Sequence, residues 1–253
     1  MSSPALSGPA AAPAALPRHW RDKVWAGTQF AATSQPALPT GHAALDAELP
    51  GGGWPASGLT ELLFDAPGSG EWRLLAPALR AQAARRPVVC VAPPLLPYAP
   101  ALRALGLPLQ RFVWVTPPGA AQAAQAAHGA QAAADAAWAL EQALRSGGCG
   151  AALWWGEAGT TMLRRLHLAA LEHGCLLWVL RPLAARRQAS PAPLRLACSP
   201  LPRGRLAVDV FKRRGPAQAA PLQLQLPPVA GLEHPMEAPD HAVARVAPAV
   251  AAA

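Results

Sequence analysis

The chain has 253 residues, a formal net charge of +8, 30 prolines and only 14% charged residues, and much of its 52% hydrophobic content is alanine. That length holds one α/β domain with tails, or two small domains. The best uncharged apolar run, 175–180, is about a third of the roughly 18 residues a membrane helix needs, so no membrane span is expected. The chain does not open on a basic region followed by a leucine-rich core, so no signal peptide is read and a cytoplasmic location is expected.

Residues 1–35 are rich in Ala, Pro and Ser and are expected to be largely disordered, interrupted by RHWRDKVW at 18–25. Within that stretch Trp20, Val24 and Trp25 have the spacing of a short amphipathic segment. A two-turn helix is expected at 42–49, stopped by Pro50 and a glycine run. Apolar runs then alternate with helical stretches. Strands are expected at 59–64, 88–92, 111–115, 151–155 and 176–180, and helices at 72–85, 99–105, 120–145 and 161–173. Near-continuous apolar strands in βαβα order predict a mainly parallel twisted sheet with helices on both faces. In the alanine-rich 120–145 segment, Trp138, Leu140 and Leu144 are the expected anchors, and 122–131 is expected to be frayed or irregular. Beyond Leu180 a polar, proline-bearing loop at 182–193 leads to strands at 194–198, 205–211 and 222–226, joined by hairpin-like turns and read as an antiparallel extension of the sheet. The domain is therefore placed at 36–227, with a disordered Ala/Pro-rich tail at 228–253.

The 65–72 stretch, DAPGSGEW, lies where the 59–64 strand turns into a helix, the place where a P-loop cradles phosphates with backbone N–H groups. Set against GxxxxGK followed by Ser or Thr, Asp65 replaces the first glycine, Glu71 the lysine and Trp72 the hydroxyl residue, while Gly70 is kept and Gly68 and Ser69 fill the loop. Asp65 and Glu71 would set two negative charges beside a polyphosphate, and Trp72 offers no hydroxyl to a magnesium ion. The turn has the form of a nucleotide site without its chemistry.

The order of these pieces resembles the RecA ATPase core, and within that superfamily it is most similar to the ImuA family of bacterial SOS mutagenesis cassettes. The stretches that carry the resemblance are LPTGHAALDAELPGGGWP (38–55), LTELLFDAPGSGEWRLLAPAL (59–79), VAPPLLPYAPAL (91–102), FVWV (112–115), WALEQALRSGGCGAALWW (138–155) and SPAPLRLACSPLPRGRLAVDVFKRRG (190–215), spanning about residues 24–227. The resemblance implies a degenerate RecA-like P-loop domain. The position of the magnesium-side acid then falls on Trp155, and that of the water-orienting glutamate on Pro94. Phosphoryl transfer depends on the charge neutralisation and positioning those groups supply. A non-catalytic pseudo-ATPase with no nucleotide cofactor is therefore expected. Trp155 has two readings: core packing under helices, or a plug for the vacant pocket.

The resemblance further implies an accessory role in SOS-induced translesion DNA synthesis after DNA damage. Its partners would be an ImuB-type Y-family-like adaptor, through it a DnaE-type error-prone polymerase, and possibly RecA itself. The family is also described as similar to SulA, so a cell-division inhibitor that binds the division GTPase is an alternative, and a nucleotide-dependent recombinase-like DNA binder is another.

Charge is segregated: 160–215 holds eleven basic residues against Glu172 and Asp209. By the resemblance, Arg181, Arg186 and Arg187 fall where the second DNA-binding loop of RecA begins. Together with Lys212, Arg213 and Arg214 they are candidate contacts for DNA phosphates or for an acidic partner. Interleaved aromatics, which single-strand binders use as stacking platforms, are missing between Leu183 and Val210. The histidines form no ligand pair, so no metal site is expected, and His167 and His173 read as surface or helix-end residues. Cys90, Cys149, Cys175 and Cys198 form no CxxC motif and read as buried free thiols.

Overall fold

The first strand of the main sheet is also its centre. In the computed structural model, which describes residues 36–116 and 126–229, all seven residues of β3 (Gly58–Phe64) are buried. That strand pairs in parallel with β7 (Leu176–Pro182) on one side and β8 (Leu194–Leu201) on the other. The sheet continues through β6 (Ala151–Trp155), β4 (Val88–Val91) and β5 (Phe112–Val115), all parallel. On the other flank β9 (Arg205–Lys212) and β10 (Leu222–Gln225) add antiparallel, giving the order β10-β9-β8-β3-β7-β6-β4-β5. The fold is α/β, with a mainly parallel mixed sheet flanked by helices. The expected elements lie within a few residues of the observed ones. The expected disordered ends, the 18–25 segment and residues 122–125 of the stretch expected to be frayed lie outside the described residues, whereas its remainder, 126–131, is regular helix. None of the described helices is long and apolar enough to cross a membrane.

One face of the sheet carries α2 (Glu71–Ala83), α3 (Ala99–Ala104) and the short α1 (Ala43–Glu48); the other carries α4 (Ala126–Arg145) and α5 (Thr160–Glu172). Alternation along β6 divides its side chains between the two cores, Leu153 to the α2 side and Trp154 to the α4–α5 side. In α4 the buried residues Ala136, Ala137, Leu140 and Leu144 follow helical spacing. Trp138, expected as an anchor, is instead 64% exposed, because a step of two residues from Leu140 turns it about 200° away from the core. The glycine-run segment holds a second departure: Trp54 is fully buried in a small ladder of β1 (Ala37–Leu38) and β2 (Trp54–Pro55), edge-on to Trp178 at 5.9 Å.

The PTGH turn seats α1 on α2. Gly41 has φ +84°, and a Cβ there would overlap Pro77. Thr40 N–H donates to Asp46, and the His42 ring lies 3.2 Å from the Leu74 carbonyl. His167 also turns inward, contrary to the surface reading: its Nδ1 accepts the Leu59 N–H at 3.0 Å, which satisfies the start of β3. Burial holds both imidazoles below their usual 6.5, in the Arg214 field as well for His167. The fold thus prefers both rings neutral. Their contribution is fully present above pH 6.5 and is lost as pH falls through the lower folded values. Thermal stability measured from pH 7.5 down to 5 is expected to drop, and His167→Gln should flatten part of that slope.

Candidate functional site

The carboxyl ends of the parallel strands gather the residues singled out by the phosphate-loop motif. Leaving β3, the chain turns through Asp65–Gly70, with Gly68 at φ +82° and the helix cap Gly70 at φ +110°, conformations that only glycine adopts without strain. A Cβ on Gly70 would press on Leu226, which packs against the loop, and Arg73 holds that same segment by donating to the carbonyls of Leu226 and Pro227.

Glu71 opens α2 and is buried. Its Oε1 accepts the Gly68 N–H at 2.8 Å, and Ser69 Oγ closes the turn onto the Ala66 carbonyl at 2.6 Å. A helix N-terminus favours negative charge, and here the chain supplies that charge from its own side chain. The expected lysine position thus carries a carboxylate whose Oε1 is bonded within the loop, while its Oε2 is buried with no hydrogen-bond partner among the described residues.

Around this carboxylate lies a cavity of about 260 Å³ whose wall brings together Asp65, Glu71, Pro94, Trp155, Glu157 and Arg181. Its lining has three carboxylates and neither a lysine nor a hydroxyl side chain. The one guanidinium, Arg181, is already committed to Glu61 and Gln188. A polyphosphate would meet three carboxylates there.

Trp155 combines parts of both of its readings. It lies on the face opposite Trp154, half-buried, with its ring 5.3 Å from Trp72; Trp72 in turn meets Trp114 at 5.8 Å, and Trp114 stacks with Phe112 at 6.0 Å. Of this row, Trp155 lines the small cavity and leaves it open. On its far side is a broader, largely apolar groove of about 700 Å³, lined by Leu96, Leu102, Trp114, Ala136 and Trp155 among others. Pro94, Trp155 and Gly156 border both spaces. Gly156 is where the Trp154 indole lies against the backbone, and a Cβ would overlap the ring. Gly156→Ala is therefore expected to cost about 1–3 kcal/mol by overpacking, read as a lower urea midpoint with an unchanged slope.

The basic segment divides into structural and surface groups. Arg181, a candidate contact for DNA or a partner, is corrected to a core residue. Its side chain is 1% exposed and ion-pairs with the fully buried Glu61 at 3.0 Å, since a charge at the end of a covered strand needs a partner there. Arg195 reaches the other oxygen of Glu61 at 2.5 Å, and Ser190 Oγ donates to the same carboxylate. Arg186 pairs with Asp209 at 2.6 Å and lies 4.5 Å from the centre of the Phe211 ring, with Arg195 at 4.9 Å. Arg213 is half-buried and bonds Glu48, and Lys212 is exposed but donates to the Ser190 carbonyl. Arg187 and Arg214 are exposed. The loop expected at 182–193 begins as a 3₁₀ turn, Leu183–Arg187, fastened to the sheet from beneath.

No family model and no curated protein matches the chain. Among solved structures it is similar to SulA from Pseudomonas aeruginosa, at 23% identity over 49% of this chain and 97% of that one, with a TM-score of 0.38. A likeness that distant does not bear on activity.

Proposed function

We propose that the chain is a non-catalytic, RecA-like accessory protein of SOS-induced translesion DNA synthesis, of the ImuA kind. On this reading it binds an ImuB-type Y-family-like adaptor, supports a DnaE-type error-prone polymerase through that adaptor, and meets RecA by virtue of a shared fold. The observation that carries the non-catalytic part is the Glu71 carboxylate bonded to the loop's own Gly68 N–H, beside a cavity walled by carboxylates and tryptophan. The parallel sheet with its antiparallel extension supports a RecA-like P-loop ancestry, and the six stretches of resemblance support the ImuA assignment. Binding energy then comes from surfaces: the apolar groove with exposed Leu96 and Tyr98 beside it, and, of the six basic candidates, the exposed Arg187 and Arg214, whose side chains bond no other described residue and can meet DNA phosphates or an acidic partner.

The test is reconstitution of the full chain with an ImuB-type protein. A stoichiometric complex that forms without nucleotide and is indifferent to ATP and magnesium is expected. Failure to bind, together with filamentation on overexpression in undamaged cells, would favour the SulA-type alternative. Saturable, magnesium-dependent nucleotide binding at micromolar concentration would sink the pseudo-ATPase reading and favour the recombinase-like one.

A further inference from the structure

We propose that Cys149 and Cys175 form a peroxide-oxidisable disulfide site at the amino-terminal edge of the sheet, opposite the phosphate-loop cavity. Cys149 lies just before β6 and Cys175 just before β7, and because these strands are neighbours in the register Ala151↔Leu176, the two thiols meet. Their Sγ atoms are 3.4 Å apart in a buried setting. A disulfide bond is about 2.05 Å long, so the sulfurs have roughly 1.4 Å to close, within reach of side-chain rotation. The Leu176 N–H donates to the Gly150 carbonyl at 3.1 Å, which holds the two strand starts together. Arg86 spans both approaches, donating to the carbonyls of Gly147 and His173 and, at 2.6 Å, of Gly174, and its charge is felt at both thiols.

The two sulfurs have different roles. The contact between the two thiols, in which either can donate, and the Arg86 charge bring Cys149 below the usual thiol range against the opposing effect of burial; the same contact and burial drive Cys175 up. The attacking sulfur is assigned to Cys149, the one of the pair that is not fully buried, and its lowered thiol supports that order. Its thiolate attacks one peroxide oxygen and the O–O bond breaks, giving a sulfenic acid and a hydroxide that takes up the proton Cys149 released. The Cys175 sulfur then attacks the sulfenic sulfur and expels hydroxide, which leaves as water with the Cys175 proton. Two thiols lose two electrons, and one peroxide becomes two waters. Cys90 and Cys198 are buried and pushed up by burial alone or mainly so, and serve as internal controls.

The inference is independent of the proposed function. The experiment treats the folded full chain with hydrogen peroxide, alkylates free thiols after unfolding, and maps peptides without reduction. A linked Cys149–Cys175 peptide that dithiothreitol reverses, with Cys90 and Cys198 still alkylated, is expected. Cys175→Ser should lose the link and stop at a Cys149 sulfenic acid that dimedone traps, while Cys90→Ser/Cys198→Ser should retain the link in full. The proposal is overturned if the wild-type pair stays reduced in excess peroxide, if it links only in denaturant, or if Cys149 pairs as readily with Cys90 or Cys198.

Discussion

Replacing Glu61 with alanine is expected to cost the fold about 3–5 kcal/mol, the penalty for leaving a buried ion pair half empty. Glu61 is fully buried in the central strand, and its two oxygens face Arg181 and Arg195, with side chains 1% and 6% exposed. Removing the carboxylate leaves two guanidinium charges in a region with little water, and Ser190 loses its acceptor. Arg195 keeps its bonds to the carbonyls of Ala185 and Gln188 and its contact with Phe211, so the loss falls hardest on Arg181. Urea unfolding measures the cost. A triple replacement, Glu61→Leu with Arg181→Met and Arg195→Met, should recover most of it, because an apolar substitute of similar volume does not leave charges unpaired. A Glu61→Ala loss below about 1 kcal/mol, the range of an exposed pair, would mean that the cluster is wet. The cluster also fastens the Leu183–Arg187 turn that presents Arg186 and Arg187. Glu61→Ala should therefore expose that turn to limited proteolysis before the rest of the chain.

This cluster marks the boundary of what the sequence made legible. Strand and helix positions followed from apolar runs and glycine punctuation, because burial on both faces requires continuous apolar strands and the period carries that signal directly. Glu61 was visible as the one charge in LTELLF, but its partners are 120 and 134 residues away, and nothing local says which arginines will meet it. Arg181 looked like the first residue of a basic loop because β7 was expected to stop at Leu180; the strand runs on to Pro182 and takes Arg181 inside. Phe211 lay just outside the window searched for aromatics, yet it is the ring on which Arg186 and Arg195 rest. The turn between β3 and α2 was readable because its glycine punctuation is local. The meeting of Cys149 with Cys175 was not, since it depends on β6 and β7 being neighbours, which strand order alone supplies.

Placing at position 71 the lysine that a working phosphate loop has there, by Glu71→Lys, is expected to weaken this protein by ~2 kcal/mol and to leave it unable to bind nucleotide. The Gly68 N–H loses its acceptor, worth about 1 kcal/mol, and a cation replaces an anion at a helix N-terminus, where the dipole opposes it by roughly 0.3–1 kcal/mol. Burial of the new ammonium adds to both, because Glu71 sits in a closed position. Glu71→Gln keeps an acceptor for Gly68 and should cost less than about 1 kcal/mol, which separates the hydrogen bond from the charge. Nucleotide binding is not expected from this change because one lysine alters one wall of the cavity. Asp65 and Glu157 still face it, Trp72 still lacks a hydroxyl, and Pro94 and Trp155 still line it, where the proposed RecA-like reading puts a water-orienting acid and a magnesium acid. Urea unfolding of both variants, with a fluorescent-nucleotide titration with and without magnesium, reads the two effects separately. If Glu71→Lys were as stable as the parent and gained saturable, magnesium-dependent binding, the loop would be an intact cradle blocked by one residue, and the account of a site filled from within would fail.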